Sequence, residues 1–241
     1  MKKRKKNQRK IIITCTIILG IIIIEFFNQD LSIFIDNLTN KLTPSYALSE
    51  IPEYNGQDYV IINNNEPNFT QDMFSTTSYE KYSPLDYLNR AQMAIANIGS
   101  DLMPSEKRES IGMIKPSGWH TIKYDNIEGK YLYNRCHLIG YQLTGENANE
   151  KNLITCTRQT NTQGMLDFEN QIADYIHKTN NHVLYRVTPI YENTNLIASG
   201  IHLEAQSVED DGAGIKFNVY VYNVQQGIKI NYEDGTSQLK E

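Results

Sequence analysis

Between Tyr133 and Glu169 lie four side chains of the types that move protons or hold hard cations: His137, Asn152, Asn161 and Glu169. A histidine with a free ring nitrogen can take a proton from water near neutral pH. An asparagine oxygen at a helix start offers one hard ligand to Mg²⁺, which keeps most of its waters, so a single protein ligand can suffice. A glutamate two turns along that helix can hold a water of the ion. Arg135 stands two residues before His137, on the same strand face, where it can grip a phosphate oxygen. Taken singly, each residue has a blander role: a packed strand histidine, a strand-opening turn, a helix start, a solvated helix residue. Together they describe a compact hydrolytic site for a phosphodiester. Cys136 beside His137 suggests zinc, but the sequence has no CxxC and no second cysteine pair, so a structural zinc site has little support.

Such a site needs a strand, a return strand and a helix. YNRCHLIGY (133–141) reads as the first strand, 145–151 as an Asn- and Glu-containing loop, and NLITCT (152–157) as the second strand. Thr160 with Gln163 forms a capping-box pattern. It predicts a helix to about Lys178, burying Met165, Phe168, Ile172 and Ile176. This hairpin plus helix brings the end of the first strand against the first helical turn.

Around that unit, Gln57–Ile62 reads as a strand, and residues 82–99 have apolar residues at helical spacing up to Gly99, predicting a second helix. Residues 111–133 read as strands and turns around Pro116-Ser117-Gly118. HVLYRVTPIYE, NLIASGIHLEAQSVE and GIKFNVYVYNV alternate as three strands, expected antiparallel. The fold class expected is α+β, a central antiparallel sheet with flanking helices. Trp119, the sole tryptophan, is read as a core anchor rather than a base-stacking platform. His120, His177, His182 and His202 have no motif around them and are read as surface or core residues. Pairing of the two site strands makes Cys136–Cys156 a candidate disulfide.

Charge is segregated. Residues 1–10 carry seven Lys/Arg and no acid, so the −5 net charge of the 241-residue chain hides an acidic body. Such a body has no overall attraction for nucleic acid, and phosphate binding must be local. Residues 107–135 are comparatively basic and residues 190–214 hold five acids with no Lys or Arg. The basic start followed by an apolar run over 11–27 reads as a signal anchor, with a cleaved signal peptide as the competing reading. Either places the body outside the cytoplasm, at the outer membrane face or secreted. The division expected is a basic cytoplasmic tail (1–10), an apolar segment (11–27), a polar spacer (28–57) and a catalytic domain (58–241).

The segment Tyr133–Glu169 resembles the DNA/RNA non-specific endonuclease family, the ββα-metal or His-Me finger nucleases. The family's first motif, Asp-Arg-Gly-His, reads here Asn134-Arg135-Cys136-His137. An Asn opening the second strand, an Asn nine residues later and a Glu eight beyond it fall on Asn152, Asn161 and Glu169. YNRCHLIGYQLTGENANEKNLIT, GMLDFENQIADYI and HVLYRVTPIYE carry a closer likeness to secreted and membrane-anchored Gram-positive nucleases, including DNA-entry and streptococcal extracellular DNases. The resemblance implies a ββα-metal motif with His137 as general base and Asn161 as the residue holding Mg²⁺, with Mn²⁺ as the alternative ion. It implies Asn152 and Glu169 as supporting polar residues and Arg135 as a phosphate contact. It implies no small-molecule cofactor. The substrate implied is DNA, with RNA as a second candidate, and Lys151 and Arg158 join Arg135 as candidate substrate contacts. Asn134 in place of Asp and Cys136 in place of Gly depart from the motif without removing an atom the chemistry requires. Two rival functions share the scaffold: a DNA-binding module that has lost cleavage, and a nuclease toxin.

Overall fold

The computed structural model describes residues 45–240; the basic tail and the apolar segment over 11–27 lie outside the described residues. Seven strands form the main sheet: β1 (Ser45–Tyr46), β2 (Tyr59–Ile62), β3 (Tyr79–Tyr82), β4 (Ala94–Ile98), β7 (Val183–Ile190), β8 (Gly200–Ser207) and β9 (Lys216–Tyr222). Their order is β1-β2-β9-β8-β7-β4-β3. The six strands from β2 to β3 are antiparallel throughout, and β1 adds to β2 in parallel. β5 (Tyr133–His137) and β6 (Leu153–Thr157) form a separate antiparallel hairpin, with the short helix α1 (Tyr141–Thr144) between them. The helix α2 (Leu166–Thr179) follows a π-helical turn at Thr160–Met165. β10 (Ile228–Ile230) and β11 (Ser237–Leu239) pair near the end of the chain.

The core lies between one face of the sheet and the β5–β6–α2 unit. Ile201, Leu203 and Ala205 from β8 and Phe217, Val219 and Val221 from β9 meet the helix stripe. Met165, Phe168, Ile172 and Ile176 are all buried as their spacing predicts, each contributing about 1.5–3 kcal/mol of apolar burial. Cys136 and Cys156 are joined by a disulfide across the hairpin, their Cα atoms 5.8 Å apart. α2 ends at Asn180, whose left-handed backbone (φ 58°) lets its N–H reach the Ile176 carbonyl.

Four expectations are corrected. Residues 82–99 are not a helix. Asp86 turns the chain by accepting from the backbone of Leu88 and Arg90, Asn89 takes φ 57°, and the run then enters β4. β4 is flanked by β3 and β7, so every residue in it is buried and the period-two signal is erased. Residues 111–132 are turns with one isolated bridge, Lys123 to Tyr131, rather than strands. Thr160 does not cap the helix. Thr157 accepts from the Thr160 N–H (3.0 Å), and the Thr160 hydroxyl is buried against the Tyr222 carbonyl. Among the described residues one long helix, not several, packs on the sheet. Residues 45–57, within the expected spacer, also pack on the folded unit: Tyr46, Ile51 and Tyr54 contact the cluster of Val60, Ile62, Tyr220 and Tyr222.

Candidate active site

His137 is the last residue of β5, where the hairpin meets the π-helical turn. It is 7% exposed. Its Nε2 lies 2.8 Å from the Asn147 carbonyl oxygen, which can only accept, so Nε2 carries the proton. Nδ1 is then the acceptor, and it takes a hydrogen bond from the Arg108 guanidinium at 3.2 Å. Burial chiefly, with Arg108 adding to it, pulls the histidine pKa down to about 4 against the Asn147 bond, which raises it. The ring is therefore neutral at physiological pH, with its one basic nitrogen facing a cleft of about 300 Å³ lined by Arg108, Arg135, Asn161 and Glu169 among others.

Asn161 sits in the first turn of the π-helical segment, partly exposed, and its side chain makes no hydrogen bond among the described residues. π-turns of this kind are common at functional sites, because the extra residue re-aims a side chain. Glu169 is buried, and its Oε1 accepts from the Gly140 N–H at 2.8 Å. Burial pushes its pKa up to about 8, against the lowering effects of the Gly140 N–H and the Arg108 charge. A Cβ at Gly140 would collide with the Glu169 carboxylate, so a side chain where the chain leaves β5 would have to displace it. Asn152, fully buried, pairs through both amide atoms with the backbone of Ile139, accepting at 2.9 Å and donating at 3.0 Å. It clamps the segment after His137 onto the start of β6.

Arg135 shares the cleft with His137 but is not free. Nε donates to the Ile114 carbonyl (2.5 Å), Nη2 to the Gly112 carbonyl (2.9 Å), and the guanidinium lies 4.0 Å from the centre of the Trp119 ring. Trp119 packs against Ile127, Leu132, Tyr133 and Ile228, in keeping with an anchor. Arg158 lines a neighbouring groove, while Lys151 is exposed in a short turn and lines neither hollow. Asn134 also lines that groove. The four remaining histidines are outside the cleft; His202 is buried and the others are not.

Sequence reasoning missed Arg108, Gly140 and the Asn147 carbonyl as parts of the site. The only signal for Arg108 was its place in the basic run, 29 residues before the histidine it covers. A backbone carbonyl leaves no trace in residue identity.

The residues suit a hydrated Mg²⁺. Among the described residues no group of three or more His, Cys, Asp or Glu exists to form a protein cage. The donors on offer are the unpartnered Asn161 amide and the Glu169 carboxylate, hard oxygens at a cleft open to water.

The fold is shared with solved nucleases. NucA from Streptococcus agalactiae, with no metal bound, aligns with a TM-score of 0.69 at 27% identity, covering 86% of this chain and 96% of that one. NucA from the same species with magnesium bound aligns at 0.65 and 27% identity over 73% and 85% of the two chains. Sda1 nuclease with bound zinc gives 0.57 and 28% identity over 67% and 81%. The DNA/RNA non-specific endonuclease family matches residues 67–209. That match spans more than half of the chain, and the protein belongs to the DNA/RNA non-specific endonuclease family.

Proposed function

We propose that this protein is an extracytoplasmic, metal-dependent endonuclease that hydrolyses phosphodiester bonds of DNA, and of RNA as a second substrate, without sequence preference. The observation that carries the reading is the orientation of His137: Nε2 fixed on the Asn147 carbonyl, Nδ1 turned into a cleft that also holds Asn161 and Glu169. A neutral imidazole with its lone pair in the cleft can accept a proton from water as that water's oxygen bonds to phosphorus. The P–O bond opposite breaks and the leaving oxygen departs, taking its proton from solvent. Arg108, exposed and, among the described residues, bonded to Nδ1 alone, would leave the histidine for the incoming phosphate, freeing the base and neutralising charge in one movement. Arg135 keeps its charge beside the cleft, and Asn152 and Glu169 hold the segment that carries His137 and Gly140 in place. Mg²⁺, or Mn²⁺ in its place, held through Asn161, would stabilise charge on the phosphoryl and leaving oxygens. NucA has been solved with magnesium and Sda1 with zinc, which supports a divalent ion as part of the reading.

Little base reading is expected, because phosphate contacts carry no sequence information. The outward placement rests on the basic tail and apolar segment at 1–27, acting as an anchor or a cleaved signal. The test is digestion of plasmid DNA and of RNA by the full-length protein in mild detergent, with Mg²⁺ and then with chelator. The reading expects nicking and degradation that stop on chelation. Retention of DNA without cleavage in any divalent metal would instead favour a binding module on the same scaffold.

A further inference from the structure

A groove of about 540 Å³ runs on from the cleft, sharing Arg108, Arg135 and Asn161 with it. Three features in it have no part in the hydrolytic chemistry. Tyr131 is 45% exposed, and one face is held by the Lys123 ammonium 4.5 Å from its centre. Arg158 has its Nε buried without a hydrogen-bond partner, and its Nη2 is 3.6 Å from the highly exposed Glu128 carboxylate, a weak pair in water. Arg158 also lies three residues before Asn161 where the helical segment opens, so the two side chains are neighbours. Trp119 also lines the groove, its ring covered by Arg135.

We propose that this groove is a nucleotide subsite in which Arg158 takes the phosphate next to the scissile one and the open face of Tyr131 stacks on an unpaired base. The inference rests on the nuclease reading for the location of the scissile phosphate. Charge complementarity commits the occupant: Arg108, Arg135, Arg158 and Lys123 gather on one side of an otherwise acidic chain. A ring beside phosphate-binding cations is the arrangement that holds single strands, because every base has a face to stack and no edge need be read. A base inside a duplex is already stacked and cannot reach Tyr131. The subsite therefore favours single-stranded or locally opened nucleic acid over duplex, without excluding the duplex from the cleft.

The sole tryptophan lines the groove, so its fluorescence reports occupancy. With His137→Ala full-length protein, binding of a short oligothymidylate should quench Trp119, while an abasic oligomer of equal length and charge should quench little and bind more weakly. Adding Tyr131→Ala should weaken oligothymidylate binding about tenfold, so that the two oligomers bind alike, and Tyr131→Phe should restore the difference. Equal affinity and quenching by both oligomers, or an undiminished preference in Tyr131→Ala, overturns the proposal. These binding readings need no catalysis. Protein with native His137 that cuts neither DNA nor RNA would break the nuclease reading alone, and a cutting enzyme whose Tyr131→Ala form keeps its single-strand preference would break the subsite alone.

Discussion

Two of the five histidines are buried, and both stand on strands, yet they sit in opposite circumstances. His202, on β8, faces the polar side of the sheet. Its Nε2 is 2.6 Å from Asn218 Oδ1, and its Nδ1 is 3.7 Å from the Glu204 carboxylate. That carboxylate is in turn held by Arg186 at 2.7 Å and the Asn68 N–H at 2.8 Å. His137 has one nitrogen on a backbone carbonyl and the other, among the described residues, covered by an exposed arginine that lines the cleft. Burial alone does not separate a structural histidine from a reactive one. What separates them is whether a lone pair is aimed at space that a substrate can enter.

The largest way to break that contrast is substitution. His137→Ala should lower the cleavage rate by about 10²–10⁴-fold. His202→Ala should leave cleavage near normal while costing about 1–3 kcal/mol of stability, because Asn218 and Glu204 lose a buried partner. Thermal unfolding read beside the digestion rate separates the two outcomes, and an inactive but stably folded His202→Ala would void the contrast. Next, Asn161→Ala should raise the Mg²⁺ concentration needed for half-maximal cleavage and lower the rate at limiting Mg²⁺ by about 10²-fold, as a metal titration would show.

Glu169→Gln should cost about 10–100-fold in rate, as loss of a supporting group does. Its stability effect has a sign that can be worked out. The folded pKa of Glu169 is raised to about 8, so without metal the folded state holds an extra proton between the unfolded value of 4.5 and about 8. Stability from this group is full below the lower value and is lost as pH rises through the window. Metal-free Glu169→Gln should escape that loss and melt higher than wild type at about pH 8, as thermal unfolding across the pH range would show. His137 acts oppositely: its depressed pKa means stability falls as pH drops from 6.5 toward about 4. Activity should accordingly be level above about pH 6 on this group's account and decline toward pH 4. On titration alone the shift is smaller: Arg108→Ala should raise the His137 pKa, measurable by NMR titration, because a neighbouring positive charge is removed.

The central unit was legible because it is local. β5, β6 and α2 follow one another in the chain, and the stripe Met165–Phe168–Ile172–Ile176 keeps its helical period beside the sheet. The three long strands after Asn180 kept their alternation well enough to read. What failed lies where tertiary burial overrides pattern. In β4, Ala-Ile-Ala-Asn-Ile is buried on both faces, so its apolar spacing imitates a helix. The segment 111–132 carries β-branched and aromatic residues into turns because it must wrap over Arg135, giving it the carbonyls of Gly112 and Ile114. At the site, the residue types were readable from the motif, but their couplings were not. Arg135, expected on phosphate, also props a loop, while Arg108 reaches His137 from a stretch without regular structure. The basic tail and apolar segment at 1–27 lie outside the described residues and remain a reading of the sequence.

The central claim is that Nδ1 of His137 takes the proton from water, and chemical rescue tests it most directly. His137→Gly full-length protein is assayed on DNA with saturating Mg²⁺ while imidazole is added to the buffer. The account predicts a near-inactive variant whose cleavage returns with rising imidazole and tracks its neutral form. Wild-type cleavage by His137→Gly without imidazole would contradict it.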